Sequence, residues 1–208
     1  MTSRALMELF PTTVYRAALQ ARGAAAFNAR LLRESQQMRA DDVAGRRWSA
    51  RHYPGGYTSY GSQCRMHRLS PTFAELERRL QRHVQRYARA LALDLTHREL
   101  VMTDCWINVM PPGVVHSLHL HPLATISGTY YVRTPAGSSP LKLEDPRLER
   151  FMAAPPKRAD APPRLRPWVS LPARAGQLVL FESWLRHEVP PHLGRGDRVS
   201  ISFNFNWF

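Results

Sequence analysis

One long stretch of the chain carries helix-period hydrophobicity, and most of the sequence beyond it carries strand-period alternation. Phe73, Leu76, Leu80, Val84, Tyr87 and Leu91 recur every three or four residues, which puts them on one face of a helix. Ser70 stands before that face as an N-cap, and Pro71 falls in the first turn, where its missing N–H costs nothing. A helix with a single apolar face needs a sheet to cover. An Ala-rich stretch over about 17–38, with Phe27, Leu31 and Leu32, predicts another helix, weakened by Gly23. The opening LFPTTVYRA alternates around Pro11 and reads as a short edge strand or extended arm. Residues 41–69 show no period and are dense in Gly, Tyr and Ser; they are expected to form a loop, long enough to be functional.

After Leu95 the pattern shortens. Segments at about 100–110, 114–121, 126–133, 140–144, 168–171, 177–182, 184–189 and 198–207 favour strand, separated by Pro and Gly turns such as MPPG and HLGRGD. Eight short strands suggest a mainly β protein with flanking helices (α+β), a double-stranded β-helix or jelly roll of cupin-like architecture; another all-β sandwich shares the pattern. A single domain over 1–208 is the simplest division, with a helical and loop part at 1–99 and a jelly-roll core at 100–208. In the last strand Arg198, Ser200, Ser202, Asn204 and Asn206 share one face, and Val199, Ile201, Phe203, Phe205 and Trp207 the other. That split suits a wall with helices outside and a wet cavity within, or a strand half exposed to bulk water. Residues 145–167 hold five prolines before Pro167, so they form an extended excursion, either a surface loop or a lid over a pocket.

Composition narrows this picture only a little. No apolar run approaches the ~20 residues of a membrane span, and the N-terminus lacks an apolar signal core, so a soluble, cytoplasmic protein is expected. Cys64 and Cys105 form no CxxC pair and are read as reduced thiols, Cys105 as a small core residue in a strand. Lys and Arg exceed Asp and Glu by 29 to 16, a net charge of +13. Such a surface attracts phosphate polymers, but the basic residues are scattered, so nucleic-acid binding is not favoured on charge alone.

The chemistry concentrates in histidines. His119 and His121 are two apart on a reading as strand, so they point the same way and can close on one metal ion, while parity sends His116 to the other face. His187, far downstream, is the candidate third ligand. Three ligands on one side of a metal leave the opposite side open for a cosubstrate and O2, the arrangement of mononuclear Fe(II) oxygenases. Arg198, on a strand reachable by a hairpin from His187, offers the planar fork that grips a carboxylate, as a dicarboxylate cosubstrate requires, and Ser200 on the same face adds a hydroxyl. His52, His67, His83, His97 and His192 have no partner spacing; with His116 they are read as structural or surface residues.

The blocks LFPTTVY, CWINVMPPG, HSLHLHP, ISGTYYV, LEDPR, FESWLRHEVP and RVSISFNF resemble the bacterial 2-oxoglutarate and iron(II)-dependent oxygenases, a small jelly-roll family of largely unassigned substrate. The wider prolyl-hydroxylase-like superfamily carries HxD, a distal His, and an Arg or Lys followed two residues later by a small hydroxyl residue. The resemblance implies Fe(II) and 2-oxoglutarate, with His119 and His187 as ligands, Arg198 on the distal carboxylate and Ser200 beside it. It also implies a Tyr131 hydroxyl on that carboxylate and contact between Asn108 and the cosubstrate. Where the superfamily has Asp, this chain has His121. Either the iron takes three His ligands, or His119 and His187 alone bind it and His121 faces substrate or water. The expected activity is hydroxylation of an unactivated C–H bond in a small molecule or peptide. A jelly-roll metal protein that does not use 2-oxoglutarate, such as a three-His dioxygenase or cupin isomerase, and a basic nucleic-acid-binding module are the alternatives.

Overall fold

The structure is a computed structural model that describes residues 6–147 and 152–208. Its elements are β1 (Tyr15–Ala18), α1 (Ala24–Asp41), α2 (Val43–His52), β2 (Tyr57–Thr58), α3 (Met66–Leu69), α4 (Pro71–Ala90) and β3 (Leu100–Met110). β4 (His116–His119), β5 (Ile126–Arg133), β6 (Leu141–Glu144), β7 (Trp168–Leu171), β8 (Gln177–Glu182), β9 (His187–Val189) and β10 (Arg198–Trp207) complete them. A six-stranded antiparallel sheet, ordered β1-β8-β5-β10-β3-β2, packs on a four-stranded sheet ordered β4-β9-β6-β7. The expected jelly roll is the fold observed. Met110, Tyr131, Val179 and Phe181 from the large sheet meet Leu141, Leu143 and Val189 from the small one.

The helices cover the outer face of the large sheet. Ser70 Oγ accepts the Thr72 N–H (3.1 Å) to start α4, as its sequence requires. Phe73, Leu76, Leu80, Val84 and Tyr87 are then buried in one cluster with Ile107, Val199, Ile201, Phe203 and Phe205. Full burial of each such side chain contributes roughly 1.5–3 kcal/mol. Leu80→Ala is therefore expected to lower unfolding stability by about 2–5 kcal/mol, read as an earlier urea midpoint at unchanged slope. Gly128 in β5 tolerates no side chain: a Cβ there would lie 2.6 Å from the Val179 carbonyl and 2.7 Å from Phe203.

Several expectations need correction. Residues 41–69 are not one loop, since α2, β2 and α3 lie within them. These elements are short and their buried positions include small or polar residues, Gly45, Ser49, Thr58 and His67, so no hydrophobic period marks them. The first helix begins at Ala24 rather than near 17, because Gly23 takes a left-handed φ of 72° as its N-cap and Ala17 and Ala18 belong to β1. β1 itself is an edge strand of the large sheet, as expected. The segments read as strands at 114–121 and 184–189 are paired only over β4 and β9. Part of the Pro-rich segment, 148–151, lies outside the described residues; its described remainder lines no part of the histidine-bearing cavity between the sheets. Among the described residues, no helix is long and apolar enough to cross a membrane.

His67, on α3, is buried and its pKa is held down to about 4, chiefly by desolvation and then by Arg68. The unfolded chain takes up this proton near pH 6.5 and the folded protein only near 4. Stability from this residue is thus full above pH 6.5 and falls as pH drops toward 4. His67→Leu is expected to flatten the decline of the melting midpoint over that window, measured by thermal unfolding at successive pH values.

Candidate metal and cosubstrate site

Between the two sheets lies a cavity of about 240 Å³. Its polar wall is the inner face of β10: Arg198, Ser200, Ser202 and Asn204 all line it, as the alternation of that strand predicts. The opposite face of the strand, Val199, Ile201, Phe203 and Phe205, is sealed under the helices. β10 is central in the large sheet, and its register sets Asn108 of β3 and Tyr131 of β5 on either side of Ser200.

His119, His121 and His187 converge in the cavity, with ligand-capable atoms all within 4.8 Å of one another. The ladder brings the first and last together directly, since His119 pairs with His187 in register. Each ring is fixed through Nδ1, which donates to Ser117 O (2.6 Å) in His119, to Leu185 O (2.9 Å) in His187 and to Asn204 Oδ1 (2.8 Å) in His121. With Nδ1 the protonated nitrogen, each Nε2 carries a lone pair, the form in which imidazole binds a metal. Burial first, and then the neighbouring imidazoles, holds His187 down to about 2. Burial likewise lowers His119, and it lowers His121 to about 4. Three neutral nitrogen donors on one side of a small, half-apolar cavity fit a divalent transition metal.

Arg198 lines the same cavity. It is 3% exposed, yet among the described residues its guanidinium hydrogen-bonds only to Ser200 Oγ (3.3 Å) and its Nε has no partner. The guanidinium lies over the Tyr131 ring at 5.1 Å, and the Tyr131 hydroxyl and Asn108 Oδ1 are also buried without a hydrogen-bond partner. Buried charge of this kind is costly unless an anion meets it. Burial raises the Tyr131 and Tyr53 phenols, Tyr53 to about 12, so both remain donors at neutral pH. Arg198 and Ser200 line the same cavity as the histidines, and the spare donors of the guanidinium and of the neighbouring Tyr131 hydroxyl could meet a carboxylate, whereas the unpartnered Asn108 Oδ1 is an acceptor.

His116 departs from its expected position. Four residues of β4 span three of β9, because His116 pairs with Val189 while His119 pairs with His187, so a bulge inserts one residue. The extra residue cancels the parity argument and turns His116 inward, stacked on His119 at 4.6 Å and against Tyr53 at 5.0 Å. His52 also lines the cavity rather than serving a remote surface. With it come Trp48, Tyr53, Thr58 and Tyr60, all from the segment read as loop; its length and aromatic content were the available signal. His67 and His83 are buried in structural positions, as expected.

Residues 104–204 match the family model described as "Putative 2OG-Fe(II) oxygenase". No curated protein sequence matches the chain. Among solved structures, a Pseudomonas putida prolyl-4-hydroxylase superposes with a TM-score of 0.60 at 18% identity, covering 94% of this chain and 92% of that one. HygX from Streptomyces hygroscopicus, crystallised with nickel and 2-oxoglutarate, gives a TM-score of 0.60 at 14% identity, covering 94% and 83%. The α-ketoglutarate-dependent epimerase SnoN from nogalamycin biosynthesis gives 0.64 at 14%, covering 94% and 79%. At these identities the likeness to solved structures is one of fold, and the family rests on the match that spans both the histidines and Arg198. Over residues 104–204 the chain is similar to the 2OG-Fe(II) oxygenase family, whose cofactors are Fe(II) and 2-oxoglutarate.

Proposed function

We propose that His119, His121 and His187 ligate Fe(II) through Nε2, and that Arg198 grips the distal carboxylate of 2-oxoglutarate with Ser200 and Tyr131 as neutral donors. Asn108 lies against the cosubstrate beside them. The observation that carries this reading is the pairing, across one cavity, of three lone-pair-bearing imidazoles with a buried arginine that lacks a carboxylate. With both groups bound, the site supplies oxidative decarboxylation of 2-oxoglutarate by O2 to succinate and CO2, coupled to oxidation of a substrate C–H bond. The chain's own part is positional. The backbone carbonyls of Ser117 and Leu185 orient two ligands, Tyr131 and Ser200 fix the anion, and Phe181, Leu141 and Val189 keep the cavity wall apolar.

The substrate is a small molecule or peptide that enters past Trp48, His52, Tyr60 and Trp106, where Tyr60 and Trp106 pack edge to face at 5.2 Å. Two unpaired cysteines suit a reducing compartment, so the cytoplasm is the proposed location. Succinate formation from 2-oxoglutarate by the Fe(II)-loaded protein, measured with candidate substrates, tests the activity. A folded, iron-loaded protein that leaves 2-oxoglutarate unconsumed with or without substrate contradicts it. A three-His metal enzyme without 2-oxoglutarate would have no use for a buried, unpaired Arg198.

A further inference from the structure

His121 stands two residues beyond the end of β4, so no strand ladder fixes it. A hydrogen-bonded cluster does so instead. Its backbone N–H donates to Ser183 O (3.0 Å), and its ring Nδ1 donates to Asn204 Oδ1 (2.8 Å). That oxygen also accepts from Ser127 Oγ (2.8 Å), and the Ser127 hydroxyl pairs with Ser183 Oγ (2.7 Å). On its other side the Asn204 amide donates to Asp104 Oδ2 (3.2 Å), an oxygen that also accepts from Thr103 Oγ1 (2.8 Å). Asn204, Ser127 and Ser183 are buried, whereas Asp104 is half-buried at the end of the chain of bonds.

Acceptor chemistry sets the direction of every bond. An ionised carboxylate only accepts, so the amide nitrogen of Asn204 faces Asp104 and its oxygen faces His121. His121 must then protonate Nδ1 and present Nε2 to the cavity. The other two imidazoles donate to neutral backbone carbonyls. Of the three, His121 is the one joined through its outer nitrogen to a carboxylate, and it occupies the position where a carboxylate ligand is missing.

We propose that Asn204 and Asp104 are positioning residues for the metal, relaying the charge of a carboxylate through an amide to the outer nitrogen of His121. The proposal rests on the reading that His121 is a ligand. A Nδ1–H held by a negatively biased acceptor makes Nε2 a stronger donor and fixes the ring plane, and hydrogen bonds in series polarise one another. The relay partly restores the negative charge that a third neutral imidazole removes from the site, while leaving that charge outside the ligand set.

The test titrates metal-free protein with Co(II), reading affinity by calorimetry and ligand geometry by visible absorption, with thermal unfolding of each metal-free variant as the fold control. Asn204→Ala is expected to weaken binding about 10- to 100-fold and alter the Co(II) spectrum. Asp104→Asn, which preserves shape, is expected to weaken it by roughly severalfold. The exchanged pair, Asn204→Asp with Asp104→Asn, keeps the network and sets a carboxylate directly on His121, so it should bind at least as tightly as wild type. In a His121→Ala background, Asn204→Ala should have no further effect. The relay is overturned if Asn204→Ala weakens binding equally without His121, if the exchanged pair binds no better than Asn204→Ala, or if His121→Ala leaves affinity unchanged. Failure of the wild type itself to bind Co(II) would instead remove the three-His reading on which the relay stands.

Discussion

Metal-free His187→Ala is expected to bind Fe(II) or Co(II) more than about a hundredfold more weakly than wild type. His187 is 5% exposed, sits opposite His119 in the β4–β9 ladder, and has its Nδ1 satisfied by Leu185 O, so Nε2 has no structural duty. Removing the ring deletes one of three donors and opens space beside Phe181, whose ring lies 4.6 Å away. That cavity costs some stability in the metal-free protein, and the affinity loss should greatly exceed it. Equilibrium dialysis against Co(II), with the melting midpoint measured alongside, separates the two effects. Affinity within a fewfold of wild type in a folded variant would remove His187 from the ligand set.

The second large effect concerns the anion. Arg198→Met keeps the volume and removes the charge, and should weaken 2-oxoglutarate binding by about 3 kcal/mol, roughly a hundredfold, while leaving metal affinity near wild type. The same variant should be no less stable than wild type without cosubstrate, and more stable if the desolvation cost of the unpaired guanidinium dominates. A residue retained for packing would give the opposite pair of results, with lower stability and unchanged 2-oxoglutarate affinity. Arg198→Lys should bind 2-oxoglutarate more weakly than wild type as well, since a point charge cannot make the two parallel bonds of the fork. Isothermal titration of the Co(II)-loaded variants with 2-oxoglutarate measures each term.

The polar and apolar faces of β10 were legible because alternation survives its bulges: Arg198, Ser200, Ser202 and Asn204 share the cavity, and the alternate residues share the helix side. α4 was legible for the same kind of reason, an uninterrupted period with a capping serine. His116 was not, because a count of odd and even positions assumes an unbroken ladder and a single inserted residue reverses it. The aromatic wall from Trp48 to Tyr60 was hidden differently. α2 is only ten residues long, its buried positions are Gly45 and Ser49, and no hydrophobic stripe announces it. Asn204 was placed on the correct face, but its hydrogen bond to Asp104 of β3 is a cross-strand relation that no local spacing encodes.

Anaerobic addition of Fe(II) and then 2-oxoglutarate to the metal-free protein tests the central claim most directly, read as the weak visible charge-transfer absorption of a chelated 2-oxoglutarate. The expected result is a band in wild type that is lost in His187→Ala and needs much higher 2-oxoglutarate in Arg198→Met. A folded, iron-loaded wild type that shows no band at saturating 2-oxoglutarate would contradict the account.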